Sequence, residues 1–273
     1  MISGRALLTA LDPPADPEVF LEAVPELSLA RGLEGSPYHH LDTLDHVLEV
    51  VRRVEEELET RRLGANVPES RVGALCLAAL LHDVAKPVTR GELEGRVLFV
   101  AHDTLGAALV RRICGRLGAS APQTDLVATL TALHLKIGFM RSDRTDHPPA
   151  RLAHAAGPFG EELAVLSLAD RLAAQGPKLK PEHIDRHVSL CAGFLEASRE
   201  MAPYPEPDYD ALANALPPHA TAADVGYTAA NARRLAARGL DPNTAQHTAT
   251  AQTSALLHPP KAESEDPSGS EAC

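Results

Sequence analysis

Residues 74–87 have the sequence ALCLAALLHDVAKP, an apolar run that ends in the doublet His82-Asp83. Residues 70–82 are apolar on nearly every side, as expected for a central helix surrounded by other helices. Lys86-Pro87 is expected to end that helix. A buried carboxylate without a partner is strongly penalised, so Asp83 needs one. The doublet therefore indicates a metal site at the end of a buried helix.

Four further residues with metal-ligating side chains lie at widely spaced positions. They are His46, His102, His134 and Asp170. Apolar residues recur every three or four positions over 44–58, which predicts a long helix with His46 near its start. We expect His134 and Asp170 on other helices and His102 in a loop. One histidine on an apolar helix is usually a hydrogen-bonded core residue, but imidazole and carboxylate groups that converge in a helical bundle suit a first-row divalent ion.

The composition favours an all-α protein. The 273 residues are 44% hydrophobic and only 3% aromatic, with no Trp, so burial depends on Leu, Ala and Val. The formal charge of −11 argues against a partner that is duplex DNA or an anionic membrane. A small phosphorylated ligand stays compatible with that charge, because a local metal ion can override it.

The motifs resemble those of the HD-domain metal-dependent phosphohydrolases. The string LLHDVAKP over 80–87 looks like the signature of that superfamily, with His46 as its first histidine and Asp170 as its terminal aspartate. The likeness is greatest to the HD domain of bacterial CCA-adding enzymes and related tRNA nucleotidyltransferases. PYHHLD at 37–42 and FVAHDTLGA at 99–107 also resemble segments of that domain. The resemblance covers residues 36–180.

The resemblance implies an all-α HD-domain helical bundle with additional flanking helices. We predict a helical lead-in over 1–35, an HD phosphohydrolase domain over 36–200, a C-terminal helical extension over 201–257 and a disordered tail over 258–273. Within these segments we expect a loop or small hairpin over 89–101, Asp103 or Thr104 as a helix N-cap, and helices at 181–201, 222–238 and 243–257. The widely spaced cysteines indicate reduced thiols. The lack of a secretory signal or a membrane-spanning apolar run predicts a cytoplasmic protein.

The resemblance also implies an activity. The Gly-Ser motif and paired aspartates of a nucleotidyltransferase head are missing, so CCA addition is not predicted. The expected activity is that of a phosphomonoesterase or phosphodiesterase on nucleotides or small phosphoesters, such as 2′,3′-cyclic or 2′-nucleotides. RNA ends are a further candidate substrate. The expected mechanism is attack of a metal-activated hydroxide on phosphorus.

Ligands can be carried over by position from the resemblance. His46, His82, Asp83 and Asp170 would hold one metal ion, and Asp83 would bridge to a second ion at His102 and His134. One or two divalent ions are therefore expected, with Mn, Fe, Co, Ni, Mg and Zn as candidates. The mononuclear state stays open.

Three residues besides Asp83 are candidates for catalysis. Lys86 could contact a substrate phosphate or be a solvated lysine at a helix end, and Arg171 could clamp phosphate or lie on the surface. Asp103 could orient a water molecule or the leaving group, or only cap a helix. His39 and His40 could line the mouth of the site. The remaining histidines are interpreted as ordinary surface or core residues.

Three alternatives to this function stay open. They are a non-catalytic nucleotide-sensing HD module, a nuclease acting on single-stranded nucleic-acid ends, and a deoxynucleoside triphosphohydrolase. The sequence has the first histidine, the His-Asp doublet and the terminal aspartate of the family in order, which argues against the non-catalytic module. Net acidity and the lack of an evident basic and aromatic track argue against the second. No oligomeric state is predicted.

Overall fold

The computed structural model describes residues 17–34, 38–140 and 148–258. Within these ranges the chain is helical apart from one short two-stranded sheet, which confirms the predicted all-α class. The first part of the predicted lead-in (1–16) and the predicted tail from residue 259 onward lie outside the described residues.

The elements follow one another along the chain as short and long helices with one hairpin. The α-helices are α1 (Pro17–Ala23), α2 (Thr43–Thr60), α3 (Glu69–Leu81), α4 (Lys86–Thr89), α5 (His102–Leu117), α6 (Ala121–Leu133), α7 (Pro148–Ala156), α8 (Gly160–Ala173), α9 (Pro181–Met201), α10 (Tyr209–Ala215), α11 (Ala222–Ala237) and α12 (Pro242–Leu257). Strands β1 (Arg90–Leu93) and β2 (Arg96–Phe99) form the hairpin, and three 3-10 helices span Pro25–Ala30, Ile137–Phe139 and Gly157–Phe159.

The chain divides into two compact units, Met1–Ala202 and Pro203–Cys273. The first unit contains α1 to α9 and the hairpin. In the second unit α11 packs against α12, and the hydroxyl of Thr228 donates a hydrogen bond of 2.8 Å to the hydroxyl of Thr253. Helices α9, α11 and α12 confirm the three helices predicted after residue 180, whereas α10 was not predicted.

Helix α3 is the centre of the first unit. Every residue from Ala74 to Leu81 is buried, and the helix packs against α2, α6 and α8. The stretch Glu69–Thr89 is long and apolar enough to cross a membrane, contrary to the expectation that no run reaches that length, but it is mostly buried in the fold. Its apolar character is what a helix surrounded on all sides by other helices requires.

Two predicted boundaries differ from the structure. Helix α3 ends at Leu81, and Lys86-Pro87 begins the short helix α4 instead of ending α3, because proline is tolerated in the first turn of a helix. Helix α5 begins at His102, so the predicted N-cap at Asp103 or Thr104 is wrong. The hairpin expected over 89–101 is confirmed, with β1 and β2 antiparallel.

Truncation of a core leucine on α3 tests the central position of that helix. Leu75 is 0% exposed and Leu29 is 62% exposed. Leu75→Ala should lower the free energy of unfolding by about 3 kcal/mol, because it removes buried methyl groups and leaves a cavity. Leu29→Ala, the same substitution on the surface, should change it by less than about 0.5 kcal/mol. Urea unfolding followed by circular dichroism measures both values, and equal effects would contradict the described core.

Candidate metal centre

The predicted ligands come from the ends of several helices of the first unit. His46 lies in the first turn of α2, which begins after the N-cap Asp42. His82 and His134 directly follow the last residues of α3 and α6, and His102 is the first residue of α5. His102 therefore comes from a helix start and not from the expected loop. Asp170 lies in the last turn of α8.

The carboxylate of Asp83 lies between two pairs of histidines. Its Oδ2 atom is 3.2 Å from Nε2 of His82 and 3.8 Å from Nε2 of His46. Its Oδ1 atom is 3.4 Å from Nε2 of His102 and 3.8 Å from Nε2 of His134. Two groups of three potential ligands, each with ligand atoms within 4.8 Å of one another, thus share Asp83.

Asp170 joins the first of these groups. Its Oδ1 atom lies 3.0 Å from Nε2 of His46 and 4.0 Å from Nε2 of His82. The structure therefore brings all six predicted ligands together. His46, His82, Asp83 and Asp170 form one group, and His102 and His134 lie on the other side of Asp83. This is the division that the resemblance implies.

Three of the histidines are held with the same ring nitrogen facing the centre. Nδ1 of His82, His102 and His134 each lies within hydrogen-bonding distance of the backbone carbonyl three residues earlier. The acceptors are Ala79 O, Phe99 O and Thr131 O, at 2.7, 2.7 and 2.8 Å. A carbonyl only accepts, so Nδ1 carries the hydrogen and the neutral ring presents its lone pair at Nε2. This backbone hydrogen bond is the usual way in which a metal-binding histidine is oriented.

Several atoms that face the centre lack a hydrogen-bond partner among the described residues. They include Nε2 of His82, Nε2 of His102 and Oδ1 of Asp83, all buried. Imidazole lone pairs and carboxylate oxygens are acceptors, and acceptors buried against one another are unfavourable unless a cation lies between them. A set of nitrogen and oxygen donors suits first-row divalent ions. The residues present therefore fit divalent metal ions.

Electrostatics keep the carboxylates charged. Burial alone would raise the pKa of Asp83, but the adjacent His82 and Lys86 outweigh it and hold that pKa well below its usual range. Burial opposes ionisation of Asp170 as well, but the hydrogen bond with His46 outweighs it and holds the pKa of Asp170 well below the ordinary value. Burial, aided by His82, lowers the pKa of His134 to about 4, so this imidazole is neutral and able to bind a metal ion.

Lys86 is part of the centre. Its side chain is buried, its ammonium lies 2.5 Å from Oδ2 of Asp83, and it lies over the ring of Phe99 at 5.4 Å from the ring centroid. The interpretation of Lys86 as a solvated lysine is therefore wrong. It compensates the charge of Asp83 and fixes the orientation of that carboxylate.

Asp103 is engaged by neighbours of its own. Its Oδ2 atom accepts a hydrogen bond of 2.7 Å from Lys136, and its Oδ1 atom accepts one of 2.8 Å from the backbone N–H of Thr104. Because α5 already begins at His102, Asp103 does not serve as its N-cap.

Gly106, one turn further along α5, allows the close approach of α5 to α6, since a Cβ there would meet Thr131 Cγ2 at 3.0 Å.

A cavity of about 430 Å³ lies beside the centre. His39 lines it and packs edge to face on His46, with ring centroids 4.6 Å apart. Arg171, next to Asp170 in the chain, also lines it, and the Nε atom of Arg171 is buried without a hydrogen-bond partner in the described part of the chain. His40 lines a separate cavity of about 1010 Å³.

Sequence analysis missed the residues that α9 contributes to the 430 Å³ cavity. They are His183, Arg186, His187 and Leu190. These positions recur at i, i+3, i+4 and i+7, the spacing of one helix face, and this periodicity was the available signal. His183 and His187 had been interpreted as ordinary histidines, yet both lie at the edge of the cavity.

Comparison with known proteins agrees with this geometry. Residues 43–175 match the family model of the HD domain. The chain is 35% identical over 186 residues to the A-adding tRNA nucleotidyltransferase of Deinococcus radiodurans, covering 67% of this chain and 40% of that protein. It is 31% identical over 160 residues to the CC-adding tRNA nucleotidyltransferase of Thermus thermophilus, covering 56% of this chain and 32% of that protein.

A second kind of relative matches a shorter stretch. The bifunctional uridylyltransferase/uridylyl-removing enzyme of Novosphingobium aromaticivorans is 31% identical over 128 residues, which is 43% of this chain and 13% of that enzyme. The chain spans 40% or less of the length of each of these three relatives.

Removing the negative charge of Asp83 tests the metal centre. Asp83→Asn keeps the shape of the side chain but removes the negative charge that both groups of histidines share. Loss of residues that only support a ligand already weakens metal binding about 10–100-fold, so we expect the affinity for Mn²⁺ to fall by more than about 100-fold. Titration calorimetry on protein stripped with a chelator measures this. Asp125→Asn, an exposed aspartate paired with Arg111, should bind as the wild type does. Equal affinity in Asp83→Asn and wild type would contradict the centre.

The number of bound metal ions tests whether the two groups of ligands act as separate metal sites. His134 belongs to only one of them. We expect wild-type protein to hold two divalent ions per chain and His134→Ala to hold one, because His46, His82 and Asp170 remain in place. Elemental analysis of dialysed protein gives both numbers. A single ion in the wild type, or two in the variant, would show that the groups do not act as separate sites.

Proposed function

Because residues 43–175 match the HD domain family, we propose that this chain is a metal-dependent phosphohydrolase acting on nucleotides or small phosphoesters. The predicted family is confirmed by the match over residues 43–175. One observation carries the proposal: the single buried carboxylate of Asp83 is shared by two pairs of histidines, with each Nε2 atom 3.2 to 3.8 Å from one of its oxygens. When bound, divalent ions supply charge neutralisation at phosphoryl oxygens and a nucleophile at neutral pH.

The residues of the chain have separate tasks in this proposal. Asp83 and the histidines would hold the ions, and backbone hydrogen bonds keep the rings of His82, His102 and His134 from turning away. Lys86 holds the Asp83 carboxylate in one orientation. Asp103 holds the ammonium of Lys136 through a hydrogen bond of 2.7 Å, which makes Lys136 a positioned cation two residues after His134.

Arg171 is the candidate for contact with the reacting phosphate. It directly follows Asp170 on α8 and lines the cavity beside the centre. Its guanidinium offers a planar fork of donors that matches two phosphoryl oxygens. The unpartnered Nε atom supports this role, since a buried donor without an acceptor is unfavourable until a ligand supplies one.

The first substrates to test are 2′,3′-cyclic nucleotides, 2′-nucleotides and RNA ends. Two of the relatives are tRNA nucleotidyltransferases by name, which supports RNA-derived phosphoesters as a class. The rings of His82, His102 and His134 are already oriented to bind metal ions. This favours an enzyme over a nucleotide-sensing module that has no catalytic activity. A role in hydrolysing deoxynucleoside triphosphates has no specific support in the described residues.

A phosphoester screen tests the proposal. Wild-type protein loaded in turn with Mn²⁺, Co²⁺, Ni²⁺, Zn²⁺ and Mg²⁺ should release phosphate from, or open the ring of, at least one member of a nucleotide panel. Asp83→Asn should lower that rate by about 100-fold or more, while Asp125→Asn should match the wild type. Metal-loaded protein that turns over no member of the panel, or a rate that Asp83→Asn leaves unchanged, would contradict a phosphohydrolase.

A further inference from the structure

The 430 Å³ cavity beside the metal centre has a charge unlike that of the whole chain. Two arginines, Arg171 from α8 and Arg186 from α9, line it, and no carboxylate is among its described lining residues. The chain as a whole carries a formal charge of −11. No carboxylate in the described part of the chain pairs with either guanidinium within 4 Å. Two guanidinium groups without a carboxylate partner among the described residues, in an acidic protein, indicate a site for an anion.

The arginines supply the positive charge of the cavity. Burial, aided by Arg171, lowers the pKa of His187 to about 4, so that ring is neutral. Its Nε2 atom is 3.0 Å from both the hydroxyl and the carbonyl oxygen of Ser167, which fixes the ring against α8. Gly138 lies against both side chains, because a Cβ there would be in ordinary contact with His187 Cε1 at 3.5 Å and Arg171 Nη2 at 3.6 Å.

Aromatic side chains lie at the same cavity. Tyr38 and Phe139 both line it, in a chain with only four Tyr, five Phe and no Trp. Phe139 is 75% exposed, so its ring is accessible to a ligand in the cavity. An exposed aromatic face beside positive charge is the combination that binds a nucleobase and its phosphate. The volume falls within the range of cavities that hold small ligands.

We propose that this cavity binds a second phosphate of the substrate, so that the preferred substrate is a nucleotide unit with a phosphate on each side of its ribose. One phosphate lies at the metal centre, the other is bound by Arg186, and Arg171 lies between the two phosphates, with the base against Phe139. The inference rests on the proposed function and names its substrate class. Arg186 lies outside residues 43–175, so this selectivity belongs to α9 and not to the matched HD region.

Two sources of such a unit exist, a free nucleoside bisphosphate and the last residue of an RNA strand. We would measure KM for adenosine 2′-monophosphate, adenosine 2′,5′-bisphosphate and an adenosine dinucleotide with a terminal 2′-phosphate. Wild-type protein should have a KM at least about 10-fold lower for a substrate with the second phosphate. A gain for the bisphosphate alone indicates a free nucleotide, and an equal gain for the dinucleotide indicates an RNA end.

Variants of Arg186 separate the cavity from the centre. Arg186 is exposed and distant in sequence from every predicted ligand, so Arg186→Ala should fold normally. It should raise KM for the bisphosphate to the value for the monophosphate and leave kcat for the monophosphate unchanged, while Arg186→Lys should retain part of the preference. Arg112→Ala, an exposed arginine on α5 outside the cavity, is the matched control. Equal KM values for the two substrates in the wild type, or an equal effect of Arg186→Ala on both, would overturn the inference.

A binding measurement makes the inference independent of turnover. In chelator, adenosine 5′-monophosphate should bind wild-type protein at least about 10-fold more tightly than adenosine does, and Arg186→Ala should abolish the difference. If the phosphoester screen fails but this difference is seen, the proposed hydrolysis is wrong while the cavity still binds a nucleotide phosphate. If hydrolysis is seen but Arg186→Ala changes neither binding nor KM, the inference about the cavity alone is wrong.

Discussion

The structure of the first unit depends on a buried negative charge. Asp83 is 2% exposed and carries a charge that a protein interior tolerates only when it is compensated. One ammonium, that of Lys86, and four imidazoles surround it. The helices that pack on α3 each place a residue at this carboxylate near one of their ends. The bundle therefore surrounds one buried carboxylate with an ammonium group and imidazole nitrogens, an arrangement that is compatible with divalent cations.

Much of the centre could be predicted from the sequence because its residues carry local signals. The doublet His82-Asp83 follows an apolar run, and the hairpin and α9 have clear turn or periodic patterns. The resemblance to the HD-domain motifs, carried over position by position, selected all six residues. What brings His46 to within 3.0 Å of Asp170 is the packing of α2 on α8, which no local pattern reports.

Other features depended on backbone geometry or on tertiary contacts. Ala101 adopts a positive φ of 58°, which is unfavourable for alanine, and this turn starts α5 two residues earlier than an N-cap at Asp103 predicts. From the sequence, Lys86 could be a solvated lysine at a helix end, but its ammonium lies beside Asp83 and over the ring of Phe99. The cavity was not predicted because four of its lining residues come from α9, which lies more than 100 residues after His46 in the chain. In addition, histidines at helical spacing are usually structural.

The central claim is that Asp83 bridges two divalent ions held by separate pairs of histidines. The most direct test is a crystal structure of protein grown with Mn²⁺ and measured for anomalous scattering. The account predicts two anomalous peaks about 3.5–4 Å apart, on either side of the Asp83 carboxylate, with His46, His82 and Asp170 at one and His102 and His134 at the other. A structure without a peak at Asp83, in which its carboxylate contacts only Lys86, would contradict it.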